Sequence, residues 1–136
     1  MEKLPLISLD RDWQCAYFER EPNVRELASP GTPVPSLPDW SCSRRYGSPW
    51  AAYLQHTFHL EPTDECVSYI LHIESAPGTV VLYVNGRRLG EFDGSLPFSF
   101  DITDYVALED NSMALRVECA ESGRFGKLHL QPLPCE

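Results

Sequence analysis

The chain has 136 residues, an apolar fraction of 43% and a charged fraction of 23%, so it has the length and composition of one globular domain, residues 1–136. It is too short for a (β/α)8 barrel, which needs roughly 250 residues. Its net charge of −9 argues against nucleic-acid and anionic-membrane partners, because phosphate binding needs clustered Lys and Arg.

No apolar run is long enough to cross a membrane as a helix. The opening MEKLPLISLDRDW lacks an apolar h-region and a small-residue cleavage site, so a signal peptide is not expected. The expected location is therefore the cytoplasm. Five cysteines, Cys15, Cys42, Cys66, Cys119 and Cys135, make an odd count with no CxxC spacing. That pattern predicts free thiols in a reducing compartment and no zinc site. Cys119 falls on the apolar face of an alternating strand, where it reads as a small core residue.

Taken in order, Leu4 to Arg20 is strand-like, and Trp13 reads as a core anchor. In Glu21 to Leu37 the prolines Pro22, Pro30, Pro33 and Pro35 are expected to deny a continuous ladder. The segment Trp40 to Trp50, WSCSRRYGSPW, packs two Trp, a Tyr and two Arg into one loop. Trp50 to Leu60 alternates with period two, placing Ala52, Leu54, His56, Phe58 and Leu60 on one face and Tyr53, Gln55, Thr57 and His59 on the other. Cys66 to Ser75 reads as the next strand.

Val80 to Val84, Asn85-Gly86 and Arg87 to Phe92 form the strongest local signal. An Asn-Gly pair between strand-like runs predicts a type I′ hairpin, whose central residues both need positive φ. A Gly94-Ser95 turn and a strand over Pro97 to Phe100 follow. Asp101 to Leu108 is expected to hold one helical turn, capped by Asp101 or Thr103. Glu109-Asp110-Asn111 reads as a turn. Ser112 to Ala120 reads as a strand with Met113, Leu115, Val117 and Cys119 inward. Phe125 to Leu130 reads as the last strand, ended by Pro132 and Pro134. About eight strands with almost no helix predict an all-β sandwich or barrel.

The string VNGRRLGEFDGSLPFSFDITDYV, Val84 to Val106, resembles the hallmark of the sugar-binding domain of family-two glycoside hydrolases, the β-galactosidase and β-glucuronidase group. Weaker likenesses run from about residue 7 to 133. SLDRDW is similar to the family's "sLdG.W", with Arg11-Asp12 where the Gly falls. Leu37 to Trp40 is similar to "vP..W". YLQHTF is similar to "WYRRtF", with Gln55-His56 in place of the Arg pair. The resemblance implies a galactose-binding-domain-like jelly roll.

It does not imply an enzyme, since the family's catalytic carboxylates come from a separate barrel. In β-galactosidases the module lends that barrel an Asn and an acidic loop. The matching stretches here, Ser75 to Gly78 and Ala120 to Gly126, contain no Asn and are short. No GxSxG, P-loop, dinucleotide or HExxH motif occurs. His56 and His59, three apart on a strand, face opposite sides and do not make a metal pair. The acidic pairs Asp101/Asp104 and Glu109/Asp110 read as caps and solvated turns. Asp93 and Asp101 are the acids available to a loop-end site. No cofactor or metal is expected, and no Asp-rich calcium loop is present.

The expected function is a non-catalytic carbohydrate-binding or accessory module. Trp40, Arg44, Arg45, Tyr46 and Trp50 are the candidate ligand-binding residues, because sugar faces stack on aromatic rings and hydroxyls pair with Arg. The competing expectations are a structural or protein-interaction domain that docks to a glycosidase or to itself, or a fragment of a family-two glycosidase.

Overall fold

A computed structural model describes residues 5–18, 31–40, 51–61, 63, 65–107, 109–119 and 124–135. Among the described residues, ten strands and one 3-10 turn follow in order: β1 (Ile7–Ser8), β2 (Arg11–Phe18), β3 (Thr32–Ser36), β4 (Ala51–Leu60), β5 (Val67–Ile73), β6 (Gly78–Val84), β7 (Arg87–Asp93), β8 (Phe98–Asp101), η1 (Thr103–Tyr105), β9 (Glu109–Cys119) and β10 (Leu128–Pro134). They form two antiparallel sheets. One has four strands in the order β1-β10-β5-β8, and the other has six in the order β3-β2-β4-β9-β6-β7.

Side-chain alternation decides how the sheets face. On β4, Ala52, Leu54, Phe58 and Leu60 are buried, as the period-two reading expects, and Leu115 and Val117 of β9 join them across the ladder. Val80, Leu82 and Val84 of β6 extend the layer. Leu71 and Ile73 of β5 and Leu128 and Leu130 of β10 close it from the other sheet. Each fully buried Leu, Ile or Val among them contributes about 1.5–3 kcal/mol relative to exposure.

The hairpin forms as its sequence demands. Asn85 has φ 50° and Gly86 φ 81°, the left-handed pair that a type I′ turn requires. The register then slips between Leu82↔Gly90 and Tyr83↔Arg88, so Leu89 is an extra bulge residue.

The chain crosses from the small sheet to the large one between β1 and β2. Asp10 staples that corner: its carbonyl accepts from Leu37 N at 2.6 Å and its carboxylate from Leu128 N at 2.8 Å. Trp13, 1% exposed, donates its indole N–H to Leu9 O at 2.5 Å. Asp12 has φ 66°. It belongs to the Arg11-Asp12 pair that replaces the glycine of the resembling motif, and Asp is among the few side chains that tolerate this backbone.

Four expectations need correction. First, Pro33 and Pro35 do not deny a ladder: they lie within β3, which pairs with β2 at Trp13↔Val34. β3 is a sheet edge, and prolines at alternate positions can put their missing donors on the unpaired side. Second, Pro132 and Pro134 do not end the last strand. They pair with Tyr69 and Val67. Leu128 N and O both point toward β1, so Pro132 and Pro134, at even spacing from it, point the same way, beyond where β1 stops.

Third, Glu109 to Asn111 is strand, opposite Phe58 to Leu60. A left-handed Glu109, φ 80°, is its first residue. Fourth, Cys66 and Cys135 are joined by a disulfide with a Cα–Cα distance of 5.2 Å. They stand one step beyond Val67↔Pro134, and Cys135 N donates to Cys66 O at 2.9 Å. Strand register, invisible in cysteine spacing, makes them neighbours. Cys15 is buried in the core. Cys42 lies outside the described residues.

Candidate functional site

The candidate loop, residues 40–50, enters β4 at the end of the sandwich where Ala51 pairs with Phe18 and Glu118. Of the five candidate residues, Trp40 is described. Arg44, Arg45, Tyr46 and Trp50 lie outside the described residues. Trp40 closes a turn in which its N–H donates to Leu37 O at 3.0 Å. Its half-buried ring lies 6.0 Å from that of Phe125, which is 3% exposed. Trp40 thus packs at the margin of the core and fixes the point from which the loop departs.

The neighbouring turns at this end are tied to one another. Ala76 N donates to Gly94 O at 2.8 Å, Gly94 N to Gly78 O at 3.1 Å and Gly126 N to Ser75 O at 3.0 Å. The approach is close enough that a Cβ on Gly94 would lie 2.3 Å from Gly78 O. Leu96, 64% exposed, stands at the tip.

Asp93 and Asp101 do not share a site, since they sit at opposite ends of the sandwich. Asp93 accepts from Ser95 N at 3.0 Å, and Asp101 accepts from Thr103 N at 2.9 Å and from the Thr103 hydroxyl. Both carboxylates are held below their ordinary pKa by these local hydrogen bonds. This is turn chemistry: η1 forms within the expected helical turn, but its N-cap is Ile102 and no side chain caps it, so the expected cap by Asp101 or Thr103 is corrected.

The far end carries a shallow, open depression of about 570 Å³, lined by Thr57, Phe58, His59, Asn85, Asp110, Asn111 and Ser112. Its floor is a closed amide network. Asn85 Nδ2 donates to Tyr105 O at 2.8 Å and to Asn111 Oδ1 at 2.9 Å, while Asn85 Oδ1 accepts from Ser112 N at 2.9 Å. Asn111, 3% exposed, accepts from Ala107 N at 2.6 Å and donates to Ala107 O at 2.9 Å. Both amide nitrogens and both amide oxygens are engaged, so the pair ties the hairpin to β9. The buried role of Asn111 is absent from the sequence reading.

His59 Nδ1 lies 3.4 Å from Asp110 and its Nε2 3.6 Å from Glu61, all well exposed, so these are weak solvated pairs. His56 faces the other way, as expected. It stacks on Trp13 at 4.9 Å and on Phe58 at 6.3 Å, with Nδ1 3.2 Å from Asp12 O. Burial lowers its pKa, against the opposing influence of Asp12. Among the described residues no group of three or more His, Cys, Asp or Glu is placed to hold a metal. No described helix is long and apolar enough to cross a membrane, which says nothing of a β-barrel.

The architecture recurs in much larger proteins. A β-glucuronidase from an uncultured Clostridium matches 98% of this chain with a TM-score of 0.73 at 18% identity, over 30% of its own length. A family-two glycosyl hydrolase from Bacteroides cellulosilyticus matches 95% at 0.74 and 18% identity, over 21% of its length. A Ruminococcus gnavus β-glucuronidase, solved with uronic isofagomine, matches 98% at 0.73 and 14% identity, over 29% of its length. The chain therefore spans 21–30% of the length of these structures. Its fold is the jelly-roll β-sandwich found as one domain of family-two glycoside hydrolases. Neither a protein-family model nor a curated protein matches the sequence.

Proposed function

We propose that this chain is a single-domain, non-catalytic carbohydrate-binding or accessory module of the kind built into family-two glycoside hydrolases. The observation that carries the reading is the fold match: nearly the whole chain coincides with a minor part of several glycosidases. Asp93 and Asp101, the acids offered to a loop-end site, serve turns at opposite ends of the sandwich instead of standing as a carboxylate pair across a sugar. The ligand surface in this reading is the loop of residues 40–50, with Trp50 and Tyr46 as stacking rings and Arg44 and Arg45 as hydroxyl partners.

The test is a glycan array that includes glucuronides, followed by calorimetry on any hit. Binding is expected to fall sharply in a folded Trp50→Ala variant. Unchanged affinity in that variant removes the site assignment, and no binding by concentrated, folded protein removes the carbohydrate reading.

A second reading is a protein-interaction module that docks to a separate glycosidase chain or to its own copy, or that forms part of a longer glycosidase. The packing of Trp40 onto Phe125 favours it, because a ring used as a plug is not presented to a sugar. The compartment also shifts. The Cys66–Cys135 bond supports folding in an oxidising environment in place of the cytoplasm that the sequence suggested.

A further inference from the structure

The solvent-facing side of the four-stranded sheet carries a row of polar side chains. Ser8, His129, His72 and Ser99 stand directly opposite one another on β1, β10, β5 and β8. The core-facing neighbours Leu71, Ile73, Leu128 and Leu130 are fully buried, so both imidazoles project outward. Their ring centroids are 4.9 Å apart. His72 is held at both nitrogens: Nδ1 lies 2.6 Å from Ser99 Oγ, and Nε2 lies 2.9 Å from Gln131 Oε1. Such fixation is unusual on a sheet face that has no core to fill, where polar side chains ordinarily sample several rotamers.

We propose that His72 and His129, with Gln131 Oε1 as a third donor, form a binding site for a divalent transition metal ion of the Zn²⁺ or Ni²⁺ class. Imidazole nitrogen is a preferred donor for these ions. Two imidazoles on one tetrahedral ion, each at a metal–nitrogen distance of about 2.0–2.1 Å, hold their ring centres about 5 Å apart. The strand register already supplies that spacing.

The surrounding hydrogen bonds suit the exchange. An amide oxygen accepts only, so Nε2 of His72 now donates to Gln131 and the Ser99 hydroxyl donates to Nδ1. When an ion takes Nε2, the proton moves to Nδ1 and donates to Ser99 Oγ, which accepts as readily as it donates. A ligating histidine oriented by a hydrogen bond at its other nitrogen is the usual arrangement at metal centres. Gln131 Oε1, released from its donor, is left beside the ion. Open positions are filled by water.

The experiment is calorimetric titration of the full chain, carrying no histidine tag, with NiCl₂ and separately with ZnCl₂. Thermal melts at rising metal concentration accompany it, because an ion that binds only the folded chain raises Tm by mass action. One ion per chain is expected. Affinity should fall by at least about tenfold in His129→Ala and His72→Ala, and by about tenfold in Gln131→Ala. His59→Ala should leave it unchanged. Paramagnetic broadening by Ni²⁺ should select the NMR signals of His72, His129 and the Gln131 amide. His129→Gln serves as a second variant should the alanine fail to fold. No saturable binding overturns the proposal. So does binding that survives loss of either histidine, or broadening centred on His59 and Asp110.

Discussion

Replacing Cys66 and Cys135 together by Ser removes a covalent tie between the first residue before β5 and the residue after β10. The bond closes a loop with a sequence separation of 69. Loop-closure entropy for about 70 residues gives about 4 kcal/mol of stabilisation, through restriction of the unfolded chain. A domain of this size has a total stability of about 5–15 kcal/mol, so the loss is a large share of it. In melting temperature it corresponds to a fall of roughly 12–16 °C for a chain between the small and medium size classes. The double variant avoids the reactive thiol that a single replacement would leave. It also keeps the backbone hydrogen bond from Cys135 N to Cys66 O, so the measured loss reports the covalent link. The assay is thermal and urea denaturation of the variant beside oxidised wild type, with the bond verified by peptide mass. A drop of less than about 3 °C in protein shown to carry the bond would refute the entropic reasoning. Two free thiols in protein made under oxidising conditions would refute the bond itself.

Stability should fall on acidification through the histidines. His56 and His129 have folded pKa values lowered from 6.5, chiefly by burial, so below that pH the unfolded chain binds more protons than the folded one. Their contribution is full above 6.5 and is lost as pH drops toward the folded values. Urea midpoints at pH 7.5 and 5.5 should show the loss, and His56→Gln should shrink it; an unchanged pH slope in that variant removes His56 as a cause. Asn111→Ala removes the acceptor of Ala107 N and one of the two acceptors of Asn85 Nδ2 at a part-buried site, and should cost about 1–3 kcal/mol in denaturant unfolding. A cost under about 1 kcal/mol would show that water replaces the amide.

Much of the fold was legible because it follows from period and turn chemistry. The alternation of Ala52, Leu54, Phe58 and Leu60, and the Asn85-Gly86 pair, each force one local answer. The prolines were misread because what matters is which side of the strand their missing N–H faces, and sequence gives that only once the neighbours of the strand are known. Asn111 looked like a turn residue because burial of an amide is worthwhile only with partners. Those partners, Asn85 and Ala107, come from the hairpin and from the segment after η1. The Cys66–Cys135 and His72–His129 pairs are properties of the β5–β10 register, far apart along the chain. Of the candidate loop, the sequence indicated the aromatic and cationic content, and the described structure adds the seat of Trp40.

The prolines also bear on how this molecule meets others. A free strand edge is a template for another chain, and each described edge here is spoiled as a template. β3 presents Pro33 and Pro35, and the stretch of β10 left open beyond β1 presents Pro132 and Pro134. β7 is kinked by its bulge and carries Arg87, Arg88, Glu91 and Asp93, while β8 has only four residues. A peptide that seeks to add itself as a strand finds interrupted donor rows on these edges. At these described edges strand addition is disfavoured, so contacts there fall to side chains, and crowded copies find no ready template for extended β-pairing along them.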